Sequence, residues 1–109
     1  MEPKWKVWVL FDGEVKFGDG RAYLLELIDE LGSLKQAVDH LGMSYRNAWG
    51  YLRDLERASG FPLLERRGSG PSSGTRLTPQ GRRLVAQYQR FRAQVESQVG
   101  RAFERSFEG

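Results

Sequence analysis

The sequence predicts a mostly α-helical fold with a small β component, folded as a single domain over residues 1–109. Three observations support this prediction. Apolar residues recur at helical spacing in three short segments that each end in glycine, a longer apolar stripe runs near the C-terminus, and an Asp-Gly pair separates two runs of β-branched and aromatic residues. With 109 residues, 39% of them hydrophobic, the chain fits one domain with one core.

The first predicted element is a β-hairpin at about residues 4–18. The runs Trp5–Phe11 and Glu14–Phe17 flank the dipeptide Asp12-Gly13, which favours a tight hairpin turn. A first helix follows, and Gly32 is its predicted end. Its apolar residues recur at i, i+3, i+4 and i+7, at Leu24, Leu27, Ile28 and Leu31.

Two further helices form a predicted helix-turn-helix at about residues 33–59. Ser33 is the expected N-cap of the second helix, whose apolar residues repeat the same spacing up to Gly42. Ser44 is the expected N-cap of the third helix, which runs to about Ser59. A short Gly-Met-Ser turn therefore joins the two helices, which is the connection that a helix-turn-helix needs.

A second hairpin and a long helix complete the predicted fold. Residues 63–67 and 75–77 are predicted strands on either side of a Gly/Ser-rich loop, and a hairpin at about residues 62–77 would form a wing. Thr78 is the expected N-cap of a last helix over about residues 79–107, with Pro79 at its first position. The predicted fold is therefore a winged helix-turn-helix with an N-terminal hairpin and a long C-terminal dimerisation helix.

The third helix carries the predicted DNA-binding face. Opposite its apolar side, at spacings of four, three and four, lie Arg46, Gly50, Arg53 and Arg57. Arginine binds guanine edges and phosphates, and a glycine inside a helix, which costs about 1 kcal/mol relative to alanine, lets DNA or a neighbouring protein element come close. The candidate DNA-binding residues, including those of the wing and the second helix, are Lys35, Ser44, Tyr45, Arg46, Trp49, Gly50, Arg53, Arg66, Arg67 and Arg76.

Apolar residues beyond the predicted core indicate a homodimer, because closed symmetric dimers are the commonest assemblies. The stripe on the last helix is too long for so small a core to cover. The first helix also carries apolar residues outside its predicted core face. The candidate interface residues are Ala22, Leu25, Leu84, Tyr88, Phe91 and Val95.

Charge is distributed unevenly along the chain, whose formal net charge is +3. Residues 1–31 contain seven acidic and four basic residues, which sum to −3, whereas residues 66–95 contain seven arginines and no acid. Such asymmetry is typical of a protein that binds a polyanion.

Composition disfavours several classes of function. The chain has no cysteine and a single histidine, His40, so we expect no metal site and no cofactor. We find no nucleophile–base pair and no phosphate-binding glycine loop, and therefore do not expect an enzyme. No apolar run approaches the roughly 20 residues of a membrane span, and the N-terminus lacks the apolar segment of a signal peptide, which favours a cytoplasmic protein without a membrane partner.

Residues 32–49, GSLKQAVDHLGMSYRNAW, resemble the N-terminal DNA-binding domain of ModE-like, molybdate-responsive regulators. Residues 55–56, 61–66 and 77–81, which read LE, FPLLER and LTPQG, are similar to the related LysR-type winged helix. The resemblance covers about residues 4–91. It implies a dimeric winged helix-turn-helix that binds palindromic operators, with the first and last helices at the dimer interface and a recognition helix that contains Ser44, Tyr45, Arg46 and Trp49.

Full-length regulators of that kind continue into oxyanion-binding domains, whereas this sequence ends at Gly109. The expectation is a regulator without its own oxyanion sensor, and a separate effector-sensing protein stays open as a partner. We predict a sequence-specific transcriptional regulator that binds palindromic, double-stranded operator DNA as a homodimer. The alternative is a winged-helix interaction module that binds a protein partner or RNA.

Overall fold

The computed structural model describes residues 1–108 and arranges them as four α-helices and two β-hairpins. This architecture confirms the predicted winged helix-turn-helix. In chain order, the elements are β1 (Trp8–Phe11), β2 (Val15–Gly18), α1 (Asp19–Leu31), α2 (Leu34–Leu41), α3 (Tyr45–Ser59), β3 (Leu64–Arg67), β4 (Gly74–Leu77), α4 (Pro79–Phe103) and a π-helical turn (Glu104–Glu108).

The N-terminal hairpin turns at the predicted dipeptide. Asp12 and Gly13 both adopt left-handed backbone angles, with φ of 53° and 68°, and the antiparallel register pairs Phe11 with Val15. The hairpin is shorter than the predicted residues 4–18, because its first strand begins at Trp8. Trp8 pairs with the last residue of β2, after which α1 begins, so residues 4–7 have no partner strand within the hairpin.

Helix α1 is buried on several sides, which corrects part of the predicted dimer interface. It packs against α2 and β4 as well as against α4 and β2. Ala22 and Leu25 are consequently 0% exposed, and the prediction that they lie beyond the core is wrong. Both residues belong to the same core cluster as Leu24, Ile28 and Leu55.

Tyr88 of α4 also lies in the core of the monomer, at 2% exposure, rather than on an outer stripe. Its ring contacts Phe17 edge to face, with 5.3 Å between centroids. Its hydroxyl donates a 2.5 Å hydrogen bond to the carboxylate of Asp19, which also accepts one of 2.8 Å from Arg92 Nε. The hydrogen bond from Tyr88 lowers the pKa of the Asp19 carboxyl. These contacts fix α4 to the start of α1.

The wing is tied to two helices at its base. The Thr75 amide donates to the carbonyl of Gly32, which ends α1, and the Leu77 amide donates to the carboxylate of Asp29, at 2.9 Å each. Just before the other strand, the Leu63 amide donates a 2.7 Å hydrogen bond to the Glu56 carboxylate of α3. The position of the wing relative to α1 and α3 is therefore fixed by hydrogen bonds from β4 and from the residue that precedes β3.

Helix α4 begins as predicted, with Pro79 at its first position and the Thr78 hydroxyl accepting a 3.0 Å hydrogen bond from the Gly81 amide. The α-helix ends at Phe103, short of the predicted residue 107, and continues as the π-helical turn. The described chain measures 61 × 28 × 23 Å, an elongation to which this 25-residue helix contributes. Within residues 1–108, no helix combines the length and the apolarity needed to cross a membrane.

Two tyrosines, the buried Tyr88 and the half-buried Tyr51, make the fold sensitive to alkali. Burial raises the pKa of the Tyr51 and Tyr88 hydroxyls to about 12, against about 10 in an unfolded chain. Below about pH 10 both states are protonated, and between about pH 10 and 12 the unfolded state loses these protons first, so we expect the free energy of unfolding to fall with rising pH. Urea titrations across this range should show a shallower fall for Tyr88→Phe than for the wild type. An equal fall in the free energy of unfolding in both proteins would contradict the raised pKa assigned to Tyr88.

Candidate nucleic-acid interface

The turn between α2 and α3 is built by three local features. Gly42 ends α2 in a left-handed conformation, with φ of 69°, and the Met43 amide donates a 2.9 Å hydrogen bond to the Val38 carbonyl. The Ser44 hydroxyl accepts a 3.2 Å hydrogen bond from the Asn47 amide, which is the N-cap that the sequence predicted. These features set the direction in which α3 leaves the core.

The outer face of α3 presents exposed arginines from its first turn to its last. Ala48, Leu52 and Leu55 are buried on the inner side, and Arg46, Arg53 and Arg57 are exposed. Near the N-terminal end, two large aromatic side chains also face outward, because Tyr45 is 49% exposed and Trp49 is 47% exposed. Tyr51 lies half-buried, and its hydroxyl donates a 2.5 Å hydrogen bond to the Lys16 carbonyl of β2.

Gly50 lies in the middle of this outer face. Beyond its chain neighbours and the backbone of its own helix, a Cβ atom built on it would meet no atom of the described chain within 4 Å. No other described element of this chain occupies the space beside Gly50. The interpretation that Gly50 makes room for a neighbouring element of this protein is therefore not supported. The open space next to Gly50 is available to an external ligand.

The cationic side chains of the helix-turn-helix differ in whether they already contact another side chain of the protein. Lys35 pairs with Asp39 at 2.7 Å, Arg57 pairs with Asp54 at 3.3 Å, and the guanidinium of Arg53 stacks on the Trp49 ring at 4.7 Å from its centroid. Arg46 makes no side-chain hydrogen bond or ion pair with another described residue. Arg46 is therefore the cation of this helix best placed to bind a ligand directly.

The three candidate arginines of the wing also differ. Arg76 forms a 2.8 Å ion pair with Glu65, its cross-strand neighbour. The guanidinium of Arg67 folds back against Gly32, where it would clash with any Cβ atom. Arg66 is exposed and has no ion-pair partner among the described residues. Arg67 also has no ion-pair partner among the described residues, so Arg66 differs from the other two in being neither ion-paired nor folded back against the protein.

The wing and α3 share a continuous surface. Trp49 and Arg53 of α3 line a depression of about 390 Å³ together with Leu64 of β3. Arg46 lies one turn before this depression, and Arg66 lies two residues after Leu64 on the same strand. One extended ligand could therefore contact the outer face of α3 and the wing together.

Comparison with known proteins adds an independent observation. The family model for bacterial regulatory helix-turn-helix proteins of the lysR family matches residues 21–82. The molybdenum transport protein ModE of Azotobacter vinelandii is 35% identical over 88 residues, which are 80% of this chain and 33% of that protein. The transcriptional regulator ModE of Haemophilus influenzae is 39% identical over 69 residues, or 62% and 27% of the two chains.

A third relative is the molybdenum-pterin-binding protein MopB of Rhodobacter capsulatus, 30% identical over 92 residues that cover 84% of this chain and 34% of that protein. The chain thus spans about a third of the length of the curated relatives that it matches. The matched region contains the whole helix-turn-helix and the wing.

Proposed function

We propose a DNA-binding function from one premise: the chain belongs to the lysR family of bacterial regulatory helix-turn-helix proteins, and its winged helix is ModE-like. On this proposal it is a transcriptional regulator that binds a specific sequence of double-stranded DNA. Helix α3 enters the major groove, where an α-helix fits and where each base pair presents a distinct pattern of hydrogen-bonding groups.

The observation that carries the proposal is that Arg46 and the open side of Gly50 lie on the same outer face of α3. Arg46 is exposed and unengaged within the described chain, and the missing side chain at Gly50 leaves space one helical turn further along the same face. Arginine can donate two hydrogen bonds to the edge of guanine. Tyr45 and Trp49 flank this face and can contact thymine methyl groups or sugars.

The wing would add contacts that do not depend on base sequence. Arg66 can bind a backbone phosphate directly, while Arg76 must first exchange its ion pair with Glu65. The Gly/Ser loop between β3 and β4 brings further hydroxyl donors close to the same surface. Phosphate contacts of this kind position a protein on the duplex and make its binding sensitive to salt.

We also propose that the protein acts as a homodimer on a palindromic operator. Phe91 is 44% exposed, and it borders an apolar groove of about 320 Å³ with Val9, Phe11, Phe61 and Leu84. Val95 follows one turn later on the half-buried side of α4. A second α4, packed against this groove, would give a two-fold dimer, and recognition helices about 34 Å apart in that dimer would match one turn of DNA.

Selection of bound sequences from a random pool of DNA duplexes tests the function as a whole. We expect enrichment of an inverted repeat whose half-sites are separated by one helical turn or a multiple of it. A parallel selection from a pool of RNA hairpins tests the alternative interaction module. Enrichment from the RNA pool with none from the DNA pool would overturn the proposal.

Gly50→Ala should raise the stability of the fold and lower the affinity for DNA. Because the new Cβ meets nothing beyond the neighbouring backbone of its own helix, we expect it to stabilise the fold by about 0.5–1 kcal/mol while lowering the affinity for operator DNA. Gly100→Ala is the matched control, since Gly100 also lies in open space inside a helix, but on α4. It should stabilise the fold similarly and leave DNA affinity unchanged. Thermal unfolding and gel-shift titration measure the two effects.

Removal of the Arg66 charge should weaken binding to all DNA sequences alike. We expect Arg66→Ala to reduce the slope of log affinity against log salt by about one unit, the loss of one phosphate contact. Arg76→Ala, which breaks the pair with Glu65, should reduce the slope less. A wild-type slope in Arg66→Ala would show that Arg66 contacts no phosphate.

A further inference from the structure

A further concave site lies beside the turn of the helix-turn-helix. It is a cavity of about 580 Å³ between the N-terminal hairpin, the first turn of α1 and the turn that joins α2 to α3. This volume falls within the range of small-molecule sites in proteins. The side chains that matter for its chemistry are those of Lys6, Trp8, Lys16, Arg21, Tyr23 and Met43.

The cavity carries an excess of positive charge. Lys6, Lys16 and Arg21 form no ion pair with a carboxylate of the described residues. Lys16 Nζ instead lies 4.9 Å from the centroid of the Trp8 ring, and Arg21 lies 4.3 Å from the Tyr51 ring. Three cations that line one concave surface repel one another and favour an anion between them.

The carboxylate that lines the cavity does not balance these cations. Asp19 already accepts hydrogen bonds from Tyr88 Oη and from Arg92 Nε, at 2.5 and 2.8 Å. Its charge is therefore directed toward α4 and compensated there. An anion that enters the cavity would meet the three cations without a strong competing carboxylate.

The rest of the lining is apolar and suits a flat molecule. Trp8 is 47% exposed and Tyr23 is 46% exposed, so two large rings are open to solvent at the same cavity. Leu41 and Met43 supply aliphatic surface from the end of α2 and the following turn. Burial of such a surface by a ligand is favourable by about 25 cal/mol for each Å² of apolar area removed from water.

We propose that this cavity binds a small organic anion, a carboxylate or sulfonate on a planar apolar body. Lys6, Lys16 and Arg21 hold the anionic group, and the rings of Trp8 and Tyr23 cover the apolar body. The apolar share of the lining favours this ligand over a DNA phosphate, which would satisfy the cations and leave both rings in water. Because the cavity is built independently of the outer face of α3, the site does not depend on the proposed DNA-binding function.

The test is a titration of the isotope-labelled protein, without DNA, with 2-naphthoate, followed by NMR. We expect shifts at the Trp8 indole N–H and the Met43 amide, and no binding of the neutral analogue 2-naphthamide at the same concentrations. Lys6→Gln and Lys16→Gln should each weaken naphthoate binding about tenfold, the effect of one charge-assisted hydrogen bond. The matched control is Lys4→Gln, which removes the same charge from an exposed side chain paired with Glu2.

Two outcomes would overturn the proposal. The first is that naphthoate does not bind, or that it binds no more tightly than naphthamide and with the same affinity in both lysine variants. The cations would then not select an anion. The second is a shift of the Trp8 and Met43 signals with a short non-specific DNA duplex but not with naphthoate, which would assign the cations to DNA phosphates. Thermal unfolding of each variant confirms that the exposed lysines can be replaced without loss of the fold.

Discussion

Phe91→Asp is expected to convert a dimer into a monomer and to lower the affinity for a palindromic operator by about a hundredfold or more. The substitution places a charge in the proposed apolar interface, where an unpaired carboxylate is costly. Two linked recognition helices gain affinity because the second contact is intramolecular, and an effect of this size follows when that link is lost. Since Phe91 is 44% exposed in the monomer, the fold itself should survive.

Sedimentation of both forms at micromolar concentration measures the effect. The wild type should sediment with twice the 12.5 kDa mass of the chain, and the variant with that mass alone. Ala93→Asp is the control, because it adds the same charge to an exposed position about 200° around the helix from Phe91. A monomeric wild type, or an equal loss of dimer in the control, would refute the proposed interface.

Arg46→Ala should weaken binding to the selected operator by about 1–3 kcal/mol, roughly 5- to 150-fold, if the guanidinium binds a guanine edge. Arg46→Lys distinguishes a contact to a guanine edge from a contact to a phosphate, since lysine keeps the charge but cannot form the planar, two-bond contact. A lysine variant that regains most of the affinity would indicate a phosphate contact instead of a base contact.

The control for charge alone is Arg105→Ala, in the turn that follows the far end of α4. Gel-shift titrations with the operator and with an unrelated duplex should show that this variant binds like the wild type. Unchanged operator affinity in Arg46→Ala itself would remove this residue from the interface and favour the alternative of a protein-binding module.

The helix-turn-helix was predictable because its boundaries are encoded locally. Ser33 and Ser44 accept the capping hydrogen bonds that their positions suggest, and Gly42 takes the left-handed conformation that ends a helix. Asp12 and Gly13 determine the first hairpin in the same way. Each of these features involves residues within four positions of one another, a range in which a sequence pattern specifies the geometry.

Features that depend on packing between distant segments were not predictable. The periodicity of α1 predicts one buried face, whereas α1 packs against α2, β4, α4 and β2, and Ala22 and Leu25 are buried as well. The Arg76–Glu65 pair depends on which residues of β3 and β4 face each other. The sequence of the connecting loop, residues 68–73, does not specify this register. The wing arginines therefore looked equivalent in sequence, although their charges are compensated to different degrees.

The hydrogen bonds at the base of the wing have a practical consequence for protein engineering. Thr75 and Leu77 hold β4 through Gly32 and Asp29, and Leu63 holds the start of β3 from the preceding position through Glu56. The loop between the strands is therefore not the only feature that keeps them together. Closing a longer loop adds only about 0.6 kcal/mol for each doubling of its length. Residues 68–73 therefore form a graft site, at which a foreign peptide, a fluorophore attachment point or the loop of another winged helix could be inserted with the scaffold left intact.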